Sequence, residues 1–147
     1  MTNKQSNPKD DVGSQKVPIS VLPAQVVLET ALALYEGDRK YGKGNYRAIG
    51  VRASVYYDAC FRHLMAWHEG QDVDPDSGIS HVTKAIAGLM VLRDSMMNNN
   101  WTDDRPIKVG GVDDMMPYLN EMVEDIIEKH PVRVKPYTEL NKDEERS

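Results

Sequence analysis

The sequence predicts an all-α fold, a compact bundle of four to five helices. Three observations carry this. Residues 24–36, 51–68 and 80–97 read as helices, by propensity in the first and by apolar stripes in the others. Eight Met against one Phe point to an adaptable helical core. Glycine, proline and acidic turns punctuate the segments, at Gly37, at residues 69–78 and at Pro106.

In chain order, residues 1–16 are polar and are expected to form a disordered lead. Pro23 suits the first position of a helix, residues 24–36 continue it, and Gly37 is its expected stop. Gln25, Glu29 and Glu36 fall on one face, with the two carboxylates about 10 Å apart along the axis. A solvated edge and a pair aimed at a cation both fit that pattern. The next stretch, DRKYGKGNYRAIG, reads as a loop in which Lys40, Lys43 and Arg47 interleave with Tyr41 and Tyr46. Such a loop can hold phosphates and stack on a base, but no Walker pattern is present.

The helix over 51–68 carries Asp58, Arg62 and His63. Asp58 and Arg62, four apart, are placed to pair, whereas Asp58 and His63 lie about 140° apart around the axis. His63 shares its stripe with Tyr56, Ala59 and Trp67, where either a hydrogen-bonded core histidine or a ligand fits. The turn EGQDVDPDSG alternates acids at 72, 74 and 76, yet fails the calcium-loop pattern because Gly falls seventh and Thr83 twelfth from Asp72. Asp76 or Ser77 is the expected N-cap of the helix over 80–97. His81 sits in its first turn, where the dipole favours neutral imidazole. His81, Lys84, Ala85 and Gly88 make a small-residue edge. A last helix is expected over 113–129, with Pro117 early in it, before a charged tail. The domain reading is therefore a lead over 1–16, one helical domain over 17–130 and a tail over 131–147.

Composition narrows the function classes. Net charge is −5, which disfavours non-specific nucleic-acid binding. No window approaches the roughly 20 apolar residues of a membrane span, and the amino terminus shows no apolar signal region. With Cys60 alone, no internal disulfide forms, and a reducing, cytoplasmic setting is expected.

Four linked stretches carry a resemblance: NPKD with VGSQKVP, ALALYEGDRKYGKGNYR, GVRASVYYDACFRHLMAWHEG, and DVDPDSGISH followed by a helix. Together, over about residues 7–106, they resemble the phage dATP/dGTP diphosphohydrolases, which are grouped with the MazG-like all-α nucleotide pyrophosphohydrolases. The resemblance implies cleavage of dATP or dGTP to the monophosphate and pyrophosphate. In some phages this activity serves synthesis of DNA carrying 2-aminoadenine. It carries over to Lys40, Tyr41, Gly42 and Asn45, to Asp58, Arg62 and His63, and to Asp74, Asp76, Ser77, Gly78 and His81. The chain lacks the Glu-x-x-Glu and Glu-x-x-Asp pairs of MazG-like enzymes at the expected places; Glu121 and Glu124 have the first spacing but lie outside the matched stretch.

For that reaction, Glu36, Asp58 and Asp76 are the expected ligands of Mg²⁺, or of Mn²⁺ or Co²⁺. His63 and His81 are expected to orient or deprotonate the water, with Asp58 a further catalytic candidate. Lys40, Arg47 and Arg62 are expected on the phosphates, and Tyr41, Asn45 and Trp67 on the base. A homo-oligomer is expected from the Met-rich faces. Two rival readings draw on the same residues. A His-Asp phosphohydrolase would draw on His63, His81 and Asp94, but no adjacent His-Asp pair exists. A non-catalytic nucleotide-binding helical protein would use the same basic loop and acidic turn.

Overall fold

The computed structural model describes residues 7–143. The chain divides into two compact units, Met1–Arg105 and Pro106–Ser147. Part of the expected lead, residues 1–6, and the last four residues lie outside the described ones.

The first unit opens with a short exposed helix, α1 (Pro8–Gly13), which Asn7 caps by accepting from the Lys9 N–H at 3.0 Å. A 3-10 turn at Ile19–Val21 leads into α2 (Ala24–Tyr41), then α3 (Asn45–Ile49), β1 (Val51–Arg52), α4 (Ala53–His68), α5 (His81–Met97) and β2 (Trp101–Thr102). The architecture is all-α, as expected, with one two-residue parallel pairing, Val51 to Trp101 and Arg52 to Thr102.

α5 is the central helix and packs against both α2 and α4. It buries His81, Thr83, Ala85, Ala87, Val91 and Ser95. Small side chains at the crossings bring the backbones close. The Cys60 thiol donates to the Ala85 carbonyl at 3.4 Å, and a Cβ on Gly88 would stand 2.7 Å from Cys60 Sγ. Ile79, from the turn before α5, completes a core with Ala33 and Ala87.

Local chemistry moved several boundaries. α2 does not stop at Gly37. It runs on to Tyr41, with a Glu36–Lys40 pair across Gly37 at 2.6 Å, and ends where Gly42 takes φ +94°. One helical glycine costs about 1 kcal/mol relative to alanine, which one further turn with basic residues near the helix C-terminus offsets. Much of the expected loop over 38–50 is accordingly helical. Val51 and Arg52 are drawn out of the helix by pairing with β2, so α4 starts at Ala53. Asp104 serves that start from a distance, accepting from the Ser54 N–H at 2.9 Å and from its hydroxyl. α5 is capped by Ser80, whose hydroxyl accepts from the Thr83 N–H, rather than by Asp76 or Ser77. Those two instead shape the turn. The Asp76 N–H donates to the Asp74 carboxylate at 3.0 Å, and the Ile79 N–H donates to the Ser77 hydroxyl at 3.2 Å.

The second unit contains α6 (Val112–Lys129), close to the helix expected there. Asp114 accepts from the Gly111 N–H at its start, and Pro117 lies inside it. Met115, Leu119, Met122 and Ile126 form an apolar stripe, and no residue of the helix is buried. Among the described residues, no helix is long and apolar enough to cross a membrane.

Candidate active site

A cavity of about 270 Å³ opens between α2, α3, α4 and α5. Helical phase decides what reaches it. From α4 come Tyr56, Ala59, Cys60 and His63, one stripe at spacings of three and four. From α5 come Lys84, Ala87, Gly88 and Val91. α2 supplies Glu36, Asp38, Lys40 and Tyr41, and α3 supplies Asn45 and Tyr46.

One end of the site is ionic. Lys84 Nζ lies 3.0 Å from Glu36, 2.9 Å from Asp74 and 3.2 Å from the Ser77 hydroxyl. Lys40 spans Glu36 at 2.6 Å and Asp76 at 3.5 Å. Lys40, with help from Lys84, holds the Glu36 carboxyl below its ordinary range against the opposing effect of burial. Lys84 does the same for Asp74. Burial pulls the Lys84 ammonium down, but Asp74 and Glu36 more than offset this and hold it above its ordinary value.

Beside the lysines stand two histidines. Their Nδ1 atoms are 2.8 Å apart, and the Nε2 of His81 lies 2.7 Å from the Gln71 side-chain oxygen. His81 is buried, and its backbone N–H donates to the Asp72 carbonyl. Burial lowers the His63 pKa, with Lys84 and His81 adding to the effect, so His63 is neutral at pH 7. The other end of the cavity is aromatic. Burial raises the Tyr56 hydroxyl pKa, and the neighbouring Tyr41, Cys60 and Tyr46 raise it further.

Of the expected site residues, the structure brings together Glu36, Lys40, Tyr41, Asn45 and His63 in the cavity, with His81 directly behind His63. Asp76 reaches the rim through Lys40 and is otherwise exposed. The remaining four lie elsewhere. Asp58 and Arg62 are exposed on the outward side of α4. Arg47 turns away to form a bidentate pair with Asp94 at 2.8 and 3.0 Å. Trp67, 46% exposed, meets His68 edge-on near the end of α4. Glu29 is exposed, as a solvated edge would be, and accepts from the Thr83 hydroxyl at 2.9 Å.

Sequence reasoning missed Lys84 and Gln71 as members of the site. Lys84 had a signal, since it shares a helical edge with His81 and Gly88. Asp74 stood among the motif residues. Gln71 had none, because its contact with His81 depends on how the turn closes.

The three carboxylates expected to hold a divalent ion are not assembled into one set. The expected ligands Glu36, Asp58 and Asp76 do not converge, because Asp58 faces the other way. Glu36 and Asp74 enclose the Lys84 ammonium, and Lys40 stands between Glu36 and Asp76. Among the described residues, no group of three or more His, Cys, Asp or Glu side chains is placed to hold a metal.

Comparison with known proteins falls on this same region. The family described as "dATP/dGTP diphosphohydrolase, N-terminal" matches residues 6–105, which nearly coincides with the first compact unit. A curated protein of Salmonella phage PMBT28, named dATP/dGTP diphosphohydrolase, is 31% identical over 90 residues, covering 61% of this chain. The chain spans 30% of that relative's length. No solved structure matches it. With two thirds of its length matched to the family, the chain belongs to the dATP/dGTP diphosphohydrolase N-terminal family.

Proposed function

We propose that this chain hydrolyses a deoxynucleoside triphosphate, dATP or dGTP, to the monophosphate and pyrophosphate in the cavity between α2, α4 and α5. The observation that carries the proposal is the arrangement of that cavity: lysines and a neutral histidine at one end, three tyrosines and Asn45 at the other. The tyrosines and Asn45 suit the base, by stacking and hydrogen bonding. Lys40 and Lys84 suit the phosphates. His63, uncharged at pH 7, suits removal of a proton from the attacking water. The relative's name supports the same substrate class.

The charge balance bears on the form of the substrate. Lys40 and Lys84 stand against Glu36, Asp74 and Asp76, and Asp38 also lines the cavity, so two positive charges face four negative. That sum repels a bare triphosphate more strongly than its Mg²⁺ complex, which carries two fewer negative charges. Mg²⁺ commonly binds through phosphates plus one or two carboxylates. We therefore place the ion with the nucleotide, as substrate, with Glu36 and Asp76 the nearest carboxylates to receive it. The chain should be incubated with each deoxy- and ribonucleoside triphosphate and Mg²⁺, Mn²⁺ or Co²⁺, and the products separated by chromatography. Equal amounts of monophosphate and pyrophosphate are expected; inorganic triphosphate as product would contradict the reading.

A second reading is favoured by one observation. The chain covers only 30% of its relative, so the activity in that name has room to reside elsewhere. In this reading the cavity binds a nucleotide without turnover, and tight binding with no product after prolonged incubation identifies it. Self-association is also proposed. Leu28, Leu32, Tyr35, Tyr57 and Phe61 are all more than half exposed, and the last two are stacked at 6.0 Å. Light scattering at micromolar concentration tests it, with a clean monomer as the contrary result.

A further inference from the structure

We infer that Gln71 is a positioning residue that acts through His81 to fix the tautomer of His63, leaving the Nε2 of His63 unprotonated. The inference rests on the proposed role of His63 as the base. The Gln71 side-chain oxygen only accepts, so the Nε2 of His81, 2.7 Å away, carries the proton of that hydrogen bond. Two facing ring nitrogens share one proton, so the Nδ1 of His81 is then the acceptor. The Nδ1 of His63, 2.8 Å from it, must be the donor. Neutral His63 has one ring proton, now committed to Nδ1, so its Nε2 bears the lone pair. His63 lines the cavity, and Nε2 is the ring nitrogen that His81 does not engage.

The surroundings support this assignment. His81 is 5% exposed, so water does not substitute for its partners. The groups that act on His63 are Lys84 and His81 on α5, Asp74 in the turn and Arg62 on α4, while Glu36 and Lys40 of α2 line the same cavity. When His63 takes a proton at Nε2, both ring nitrogens become donors. The Nδ1 bond to His81 then turns charge-assisted and strengthens. Gln71 thus holds a relay that ends on the base, without itself touching substrate.

The test uses the full chain with ¹⁵N-labelled histidine and long-range ¹H–¹⁵N correlation spectra at pH 7.5. The four histidines are assigned by single substitutions. His63 is expected in the Nδ1–H form and His81 in the Nε2–H form. His63 in the Nε2–H form would overturn the inference. Gln71→Met keeps the side-chain length and removes the acceptor. A mixture of tautomers at His81 and His63 is expected, with kcat down about ten-fold and KM within about two-fold. Gln71→Glu restores an acceptor and is expected to recover both the spectrum and most of the rate, with the acidic limb of the pH profile moved upward. Unchanged tautomers in Gln71→Met would refute the role of Gln71. Because the spectra need no turnover, they decide this inference even if no nucleotide is hydrolysed, which would count against the proposed function instead.

Discussion

On its inward side α4 sets Tyr56, Ala59, Cys60 and His63 against the cavity, while its outward side carries Tyr57, Asp58, Phe61 and Arg62 to the surface. The two faces are drawn from the same eight residues and both hold aromatic rings and ionisable groups. Among the described residues, the inward face finds its partners on other elements, whereas Tyr57 and Phe61 of the outward face stack on each other. His63 meets His81 and, through it, Gln71, and it feels Lys84. The lesson is that density of ionisable groups along a sequence is not convergence in space. About 100° of rotation per residue separates them, and packing against α5 selects one side.

That contrast is broken or sharpened by substitution. The largest effect is expected from His63→Ala, which should lower kcat about 100-fold while the melting temperature stays within a few degrees, as steady-state kinetics and calorimetry would show. Next comes Lys84→Met. It leaves Glu36 and Asp74, both largely shielded, without their shared cation, and should cost about 2 kcal/mol in a urea titration. Its pH dependence has a definite sign. In the native chain these two carboxyls have lowered pKa values, so they contribute stability above the ordinary carboxylate range and lose it as pH falls through the lowered values. The gap between native chain and Lys84→Met should therefore narrow as pH falls below the ordinary carboxylate range, mainly through Asp74, because Lys40 still pairs with Glu36.

Gly88→Ala tests the packing that brings α4 and α5 together. A Cβ there would stand 2.7 Å from Cys60 Sγ, and the loss should be about 1–2 kcal/mol, read from the denaturant midpoint. Cys60→Ala in the same background should recover part of it. The smallest effect belongs to the outward face: Asp58→Ala should leave kcat within about two-fold and stability within about 0.5 kcal/mol. A large loss of activity there would return Asp58 to the site and undo the comparison.

The all-α class, the three long helices and the motif region were legible because apolar periodicity and helix propensity are local signals. Boundaries failed where a distant partner intervened. Gly37 stayed helical because the real stop, Gly42, lies five residues on, and Val51 left the helix because Trp101 offered a strand. Within the site, Glu36, Lys40, Tyr41, Asn45, His63 and His81 were legible from motif and helical phase. Asp58 was misplaced as a converging ligand, although the 140° that separates it from His63 already argued against a shared stripe. Arg47 was read as a phosphate ligand, but Asp94, 47 residues away in sequence, holds it. Lys84 was underweighted because a lone lysine on a helix is ordinarily a solvated residue. Only the fold sets Glu36 and Asp74 around it.

The most direct measurement is a titration of the isotopically labelled chain with a dATP analogue carrying a non-hydrolysable α–β bridge, in the presence of Mg²⁺, followed by backbone and side-chain chemical shifts. Shifts concentrated on Lys40, Tyr41, Asn45, Tyr56, His63 and Lys84, with Asp58 and Arg62 little changed, are the predicted result. Shifts centred on Asp58 and Arg62, or spread evenly over the chain, would contradict the placement of the nucleotide in this cavity.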